Sequence, residues 1–223
     1  MSKYLFKNFY KGILAGLAIG LGGFLYVLMV HFVPGEYGKI LGSILFAVGL
    51  FLVCTFYLSL YTGKIGLIYE EKHTKQFYWS LPVMLVGNAI GAFGLGYLCF
   101  VIFKNTDIMS TVENVCSIRT SLNSFEDYLS CMLKSFLCGL CVYVAVKAFS
   151  LARLKPLGIG LLVFFVFLFV YCGFQHCIAN MFYFGFGNHM KWETLYDLLF
   201  CILFNSFGPI IGVLLFKAFG KGH

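Results

Sequence analysis

Six long runs with almost no charged residues divide this chain of 223 residues, at about 12–33, 40–63, 78–103, 128–150, 156–187 and 194–219. A bilayer core of about 30 Å is crossed by about 20 helical residues, so the runs are long enough to span it. Hydrophobic residues make up 61% of the chain and charged residues 11%, which is more apolar surface than a soluble domain of this length can hide. The sequence therefore predicts a single all-α integral membrane domain over residues 1–223, with six transmembrane helices in the lipid bilayer.

The basic residues predict which way the chain is threaded. An even number of spans places both termini on one side, and Lys and Arg accumulate on the cytoplasmic side. The side of the termini carries most of the basic residues, namely Lys3, Lys7, Lys11, Lys64, Lys72, Lys75, Lys147, Arg153, Lys155, Lys217 and Lys221. The opposite side carries Lys39, Lys104, Arg119 and Lys191. Both termini are therefore predicted to be cytoplasmic, in a multi-pass protein of the cell membrane without a cleaved signal peptide. The net charge of +7 is mostly this topology signal and does not imply nucleic acid binding.

Two of the six runs do not fit one straight helix. Residues 156–187 would form a helix about 50 Å long at 1.5 Å per residue, well beyond the bilayer core. The second run ends in a glycine-flanked polar stretch, residues 60–66, which more apolar residues follow. Spans two and five occupy matching positions in a three-plus-three arrangement. Broken helices at such positions indicate inverted repeats and a binding site near the bilayer midplane.

The fifth run contains a polar cluster at membrane depth. His176 follows Gln175 and lies close in sequence to Asn180, and no charged residue occurs between Pro156 and Asn188. A titratable side chain in such surroundings costs free energy, and such residues usually mark a substrate pathway or a proton relay. His176 is therefore the first candidate for a functional residue.

The nine cysteines do not form a pattern typical of a disulfide framework, because most lie in apolar runs where cysteine packs as a small hydrophobe. Cys138 and Cys141 have the spacing of half a metal site, but no second pair or histidine lies nearby in the sequence. The sequence therefore predicts neither a metal nor a cofactor. The acidic residues fall outside the predicted hydrocarbon core, so an enzyme active site at membrane depth is not expected.

Four short motifs together resemble the formate/nitrite transporter family over essentially the whole chain. The most specific is Gly-Phe-Gln-His-Cys-Ile-Ala-Asn-Met at residues 173–181, where the family pattern is Gly-Phe-Glu-His-Ser-Ile-Ala-Asn-Met. Leu-Tyr-Thr at 60–62 is similar to the family's Leu-Phe-Thr break, and residues 87–91 and 205–209 are similar to Gly-Asn-x-x-Gly and Asn-x-x-Gly-Gly. The resemblance implies a pentameric channel with an aquaporin-like protomer.

The resemblance also implies which residues line the pathway. His176 corresponds to the central pore histidine, and Thr62 corresponds to the polar residue of the second-span break that faces it. Asn180 corresponds to the residue that holds the histidine region in place. Leu60 and Gln175, their neighbours in the two motifs, complete the implied substrate pathway.

Two narrow points of the pathway follow from the same resemblance. Phe46 and Phe169 fall where the family has its periplasmic-side constriction. Leu50 and Tyr61 fall where the family has its cytoplasmic-side constriction. The pore is therefore expected to be gated by apolar side chains on both sides of the histidine.

The chain departs from the family pattern at several polar positions. Gln175 replaces the family glutamate, which removes an ionisable partner beside the histidine. Gly139 replaces an asparagine of the fourth span. The basic residue of the outer vestibule has two candidates, Arg119 and Lys134, while Lys64 fits either a topology anchor or the cytoplasmic vestibule.

These features predict a channel for small monovalent anions of weak acids, linked to protons through the central histidine. A bare anion loses its hydration in an apolar slit at a large cost, and protonation to the neutral acid removes that cost. A histidine, with a reference pKa of about 6.5, can donate the proton or offer only an N–H group. Formate, nitrite and hydrosulfide all remain open as the substrate, as do acetate and lactate. The alternative is an aquaglyceroporin-like pore for small neutral solutes, although its Asn-Pro-Ala pairs are absent.

Overall fold

The computed structural model describes residues 2–70, 73–120, 122–189 and 191–219. Helices account for most of this part of the chain, and no strand occurs in it, so the predicted all-α class is confirmed. The helices are α1 (Ser2–Phe32), α2 (Glu36–Thr55), α3 (Tyr61–Lys64), a 3-10 helix (Ile65–Tyr69), α4 (Lys75–Phe103), α5 (Ile108–Thr120), α6 (Phe125–Leu151), α7 (Lys155–Tyr171), α8 (Cys177–Phe186) and α9 (Trp192–Phe219).

Five of these helices, α1, α2, α4, α6 and α9, are long and apolar enough to cross a membrane. They coincide with five of the six apolar runs in the sequence. The remaining run, 156–187, is divided between two shorter apolar helices, α7 with 17 residues and α8 with 10 residues. A single long helix over this run therefore does not form.

Glycines bring the backbones of the long helices into direct contact. A Cβ atom on Gly16 of α1 would lie 2.2 Å from a backbone oxygen of α4, and one on Gly91 of α4 would lie 2.1 Å from a backbone oxygen of α1. The same contact joins α6 to α9, where Gly139 and Gly208 would clash at 2.3 and 2.2 Å. Small residues permit this approach, which stabilises helix pairs in a bilayer through close packing.

The chain leaves the helical conformation at two places and then resumes it. After α2, Tyr57 adopts a φ of 51°, and Leu60 is extended, with φ −88° and ψ 122°, before α3 begins. After α7, Gly173 adopts a φ of 68°, which glycine tolerates without strain, and His176 is extended before α8 begins. We call these segments the first break (residues 56–60) and the second break (residues 172–176).

The short helix that follows each break packs against the opposite half of the molecule. In α8, the rings of Phe182 and Phe186 are fully buried. The α8 backbone also lies close to α4, since a Cβ atom on Gly96 of α4 would lie 2.3 Å from the Phe182 backbone oxygen. The 3-10 helix packs on α9, and a Cβ on Gly66 would lie 2.9 Å from the Pro209 side chain. Both short helices are therefore fixed by elements distant in sequence.

The α5 helix lies outside the candidate spans, in the connection between α4 and α6. His31 Nδ1 lies 3.0 Å from Thr111 Oγ1, and His189 Nε2 lies 2.8 Å from a Glu113 carboxylate oxygen. On the inner face of α5, the Cys116 thiol donates to a backbone carbonyl of α8 at 3.2 Å, and burial raises the pKa of this thiol to about 12. These contacts hold α5 over one end of the helix bundle.

Candidate functional site

The two breaks meet at a hydrogen bond between His176 and Thr62. The His176 Nε2 atom lies 3.0 Å from Thr62 Oγ1, and the two side chains are 2% and 0% exposed. His176 is also the N-cap of α8, because its Nδ1 atom accepts the Ala179 N–H at 3.2 Å. With Nδ1 acting as an acceptor, the neutral ring carries its proton on Nε2 and donates it to the threonine oxygen. The structure thus brings together two residues that are 114 positions apart.

One asparagine holds the first break in place. Asn88, fully buried in α4, accepts the N–H of Tyr61 at 2.8 Å. Its amide nitrogen donates to the carbonyls of Ser59 and Gly12, each at 2.9 Å. Backbone groups that leave a helix inside a membrane need internal partners, and Asn88 supplies them on both sides of Leu60.

A second asparagine holds the second break in the same way. Asn205, fully buried in α9, accepts the N–H of Cys177, the first residue of α8, at 2.8 Å. Its amide nitrogen donates to the carbonyl of Gln175 at 2.8 Å and to that of Ser135 at 2.7 Å. In both cases the asparagine binds the first N–H of the short helix and the carbonyl two residues earlier. The sequence motifs contain both asparagines, but their structural role was not predicted.

An aromatic narrowing lies directly beside the histidine. The rings of Phe46 and Phe169 are 5.8 Å apart between centroids and nearly perpendicular, and both residues are almost fully buried. The Phe169 ring centroid lies 5.9 Å from that of His176. The cavity at this point, also lined by Arg119, has a volume of about 10 Å³, which is room for about one water molecule.

Arg119 of α5 is the basic residue beside this narrowing. Its Nε donates to Asn180 Oδ1 at 3.1 Å, and its Cζ lies 4.5 Å from the centroid of the Tyr183 ring. Asn180 in turn donates to Gln175 Oε1 at 2.8 Å. Of the two predicted vestibule residues, Arg119 lines the cavity that contains His176, whereas Lys134 lines a neighbouring cavity.

A larger cavity of about 230 Å³ lies beside the first break. It is lined by Leu60, Lys64 and Lys155 among others. Leu60 is 1% exposed and lies immediately before α3, the helix that contains Thr62. Lys155 was not selected by sequence reasoning, because a lysine next to a proline at a helix start carries no distinct signal.

The sequence predicted a second narrowing formed by Leu50 and Tyr61. Neither residue lines the cavity described above. The Tyr61 hydroxyl lies 2.9 Å from Ser206 Oγ of α9, because Tyr61 is the first residue of α3 and faces α9. Leu50 is 2% exposed and belongs to the same hydrophobic core as Leu60. The roles of Leu50 and Tyr61 in a second constriction therefore stay predictions.

The sequence of this chain is similar to a known family and to a known protein. The family model described as "Formate/nitrite transporter" matches residues 1–220. The "Uncharacterized transporter YrhG" of Bacillus subtilis (strain 168) is 26% identical over 227 residues, which cover 94% of this chain and 84% of that protein.

Two solved structures share the fold. The structure titled "Pentameric formate channel with formate bound" matches with a TM-score of 0.78 and 21% identity, over 99% of this chain and 97% of that one. The structure titled "FNT family ion channel" matches with a TM-score of 0.71 and 21% identity, over 98% of this chain and 88% of that one. The match of the family model over nearly the whole chain shows that this multi-pass membrane protein belongs to the formate/nitrite transporter family.

Proposed function

We propose that this protein is a membrane channel for small monovalent anions of weak acids, such as formate, nitrite or hydrosulfide. The observation that carries the proposal is the buried pair of His176 and Thr62, at 3.0 Å, beside the Phe46–Phe169 narrowing. The family and the two structural neighbours are channels or transporters rather than enzymes, which supports transport as the activity.

The residues suggest how such an anion crosses the narrowing. Arg119 attracts anions to the outer mouth, and Lys64 and Lys155 do the same in the inner cavity. An anion between Phe46 and Phe169 loses most of its hydration, which is costly for a bare charge. The Nε2–H of His176 donates a hydrogen bond to the anion in place of Thr62, and a proton taken up from solution converts the anion to the neutral acid that passes the apolar slit. Protons are therefore the second substrate.

We also propose that the single channel domain crosses the membrane six times. We count α2, α3 and the 3-10 helix as one broken membrane crossing, and α7 and α8 as another. The chain then has six crossings, of which the second and the fifth are broken. The matching hydrogen bonds of Asn88 and Asn205 support an inverted three-plus-three repeat of the aquaporin type. We propose that both termini lie on the cytoplasmic side of the cell membrane, which the distribution of basic residues supports.

Flux into liposomes tests the proposed function. Purified protein is reconstituted, and uptake of formate, nitrite, hydrosulfide, acetate and lactate is compared with uptake of glycerol and water. At least one weak-acid anion is expected to enter more than about tenfold faster than into empty liposomes, equivalent to a barrier lowered by about 1.4 kcal/mol. Faster entry of glycerol, with no anion above background, would instead support the aquaglyceroporin-like alternative.

The assembly is proposed to be a homopentamer with one pore per protomer. This rests on the solved structure titled as a pentameric formate channel, which this chain matches over 99% of its length. Native mass spectrometry in detergent is expected to give a main species of five times the 25.1 kDa chain mass. A main species at one or four chain masses would contradict the proposed assembly.

A further inference from the structure

A long apolar groove lies on the surface of the molecule, between α1, α2 and the first break. Its volume is about 680 Å³, within the range of about 300–1,000 Å³ that is usual for sites that bind small molecules. The α1 side of the groove extends from Lys7 to Leu21, and Phe56 and Leu58 of the first break line it as well. Leu17 and Leu21 remain 36% and 39% exposed, so the chain does not fill the groove with its own side chains.

The apolar part of the groove has the depth of one bilayer leaflet. The ten positions from Lys11 to Leu21 of α1 cover about 15 Å at 1.5 Å per residue, which is half of a bilayer core of about 30 Å. Lysines near the ends of spanning helices extend their ammonium groups to the level of the lipid headgroups. With Lys7 and Lys11 at that level, the groove reaches about the midplane of the membrane, which is the shape that one phospholipid chain requires.

The lysine end of the groove carries uncompensated positive charge. Lys7 and Lys11 are one helical turn apart and line the same groove, and no carboxylate of the described residues lies within ion-pair distance of either. The Lys11 ammonium donates to the Tyr57 carbonyl at 2.9 Å, which leaves it further N–H donors. Two ammonium groups beside a hydrocarbon groove match a lipid phosphate above its acyl chain.

A second copy of the chain has little to offer to these two lysines. On the side of the termini, the sequence between the second and third predicted spans contains Glu70 and Glu71 as its acidic residues. Glu70 accepts from the Tyr143 hydroxyl and pairs with Lys147 of its own chain. The excess of basic residues on this side therefore favours an anionic lipid over a neighbouring protomer as the occupant of the lysine end.

We propose that the groove binds one anionic phospholipid, with its phosphate at Lys7 and Lys11 and one acyl chain along α1 as far as Leu21. This site is separate from the proposed pathway at His176 and does not depend on which solute crosses the membrane. Because the first break forms part of the groove and Lys11 also binds the Tyr57 carbonyl, the lipid contacts the first break from its membrane side.

Lipid binding to the detergent-solubilised protein tests the charged end of the site. Phosphatidylglycerol and phosphatidylcholine are titrated separately, and bound lipid is counted by native mass spectrometry. The parent protein is expected to bind phosphatidylglycerol about fivefold or more tightly than phosphatidylcholine, and Lys7→Gln should weaken phosphatidylglycerol binding about fivefold, the effect of one basic residue near anionic lipid. Lys75→Gln, with the same change in charge at a residue outside the groove, is the matched control and should bind as the parent does.

A second pair of variants tests the apolar part. Leu17→Trp places a larger side chain in the groove and should lower phosphatidylglycerol binding several-fold. Leu98→Trp changes a leucine of α4 that is 54% exposed and does not line the groove, and it should leave binding unchanged. Phosphatidylglycerol should also raise the midpoint of thermal unfolding of the parent protein, whereas inorganic phosphate at the same concentration, which has no acyl chain, should not.

Four results would overturn the lipid site. The first is equal phosphatidylglycerol binding by Lys7→Gln and Lys75→Gln, and the second is a parent protein that binds both lipids equally. The third is stabilisation by inorganic phosphate equal to that by phosphatidylglycerol, which would indicate a site for the free anion. The fourth is a Leu17→Trp variant that dissociates into single chains and keeps its lipid, which would make the groove an interface between copies of the chain.

Discussion

Replacing His176 with asparagine is expected to lower anion flux about 10- to 100-fold while the protein still folds and assembles. Asparagine is a favoured N-cap residue, so it can replace the bond that His176 Nδ1 makes to the Ala179 N–H. What it cannot replace is the Nε2–H group directed at Thr62. Loss of a hydrogen bond to a charged group is worth about 1.5–3 kcal/mol, which corresponds to that range of rates.

The pH profile of the same variant gives the sharper result. Imidazole is the side chain that exchanges a proton between pH 5 and 8, and asparagine exchanges none. Uptake of formate measured across this range is therefore expected to change its pH dependence in His176→Asn. His189→Asn, which alters a histidine paired with Glu113 outside the spans, serves as the control and should keep the parent profile. An unchanged rate and an unchanged profile in His176→Asn would remove this residue from the mechanism.

The second large effect is expected from Phe169→Ala, which should raise chloride leakage about tenfold or more and formate flux much less. The Phe46 and Phe169 rings close the slit by an edge-to-face contact, and chloride, the anion of a strong acid, cannot be neutralised to cross it. Opening the slit lets chloride keep part of its hydration, and a barrier lowered by about 1.4 kcal/mol gives the tenfold increase. Formate gains less, because protonation already removes its cost of crossing.

Chloride and formate uptake by the same liposomes measure this change in selectivity. Phe184→Ala is the matched control, because Phe184 is fully buried and lines neither of the cavities beside Arg119. Truncating a buried phenylalanine costs about 3–5 kcal/mol of stability, so Phe169→Leu provides a milder variant with a smaller expected leak. If chloride already enters through the parent protein as fast as formate at neutral pH, neutralisation is not the basis of selectivity.

The sequence predicted most of the helices and the centre of the candidate site, for identifiable reasons. Apolar runs of sufficient length can only be buried as spanning helices, and five of the long helices lie where these runs are. The contact of His176 with Thr62 was expected from the resemblance to the family, in which the polar residue of the second-span break faces the histidine.

Other features depend on three-dimensional relations that no local pattern contains. Leu60 lines the cavity beside the first break, while the Tyr61 hydroxyl contacts Ser206 of α9. The α5 helix has weak apolar character, and its position comes from contacts of His31 and His189 with distant segments. The cavity lined by Arg119 and Lys134 combines residues of α5, of α6 and of the second break, which lie far apart in the sequence.

The position of the two short helices limits how the pathway can open. Each break is held by an asparagine of its own half of the molecule. The α8 helix, after the second break, packs on α4 of the other half. The 3-10 helix, which follows the first break and α3, packs on α9. The two halves are thereby interlocked, and a rocking movement of one against the other would separate backbones in direct contact and break buried hydrogen bonds. Alternating access by rigid halves is therefore disfavoured for this fold. In the proposed channel, opening is then left to rotations of individual side chains, and we expect the sizes of Phe46, Phe169 and Leu60 to set which solutes pass.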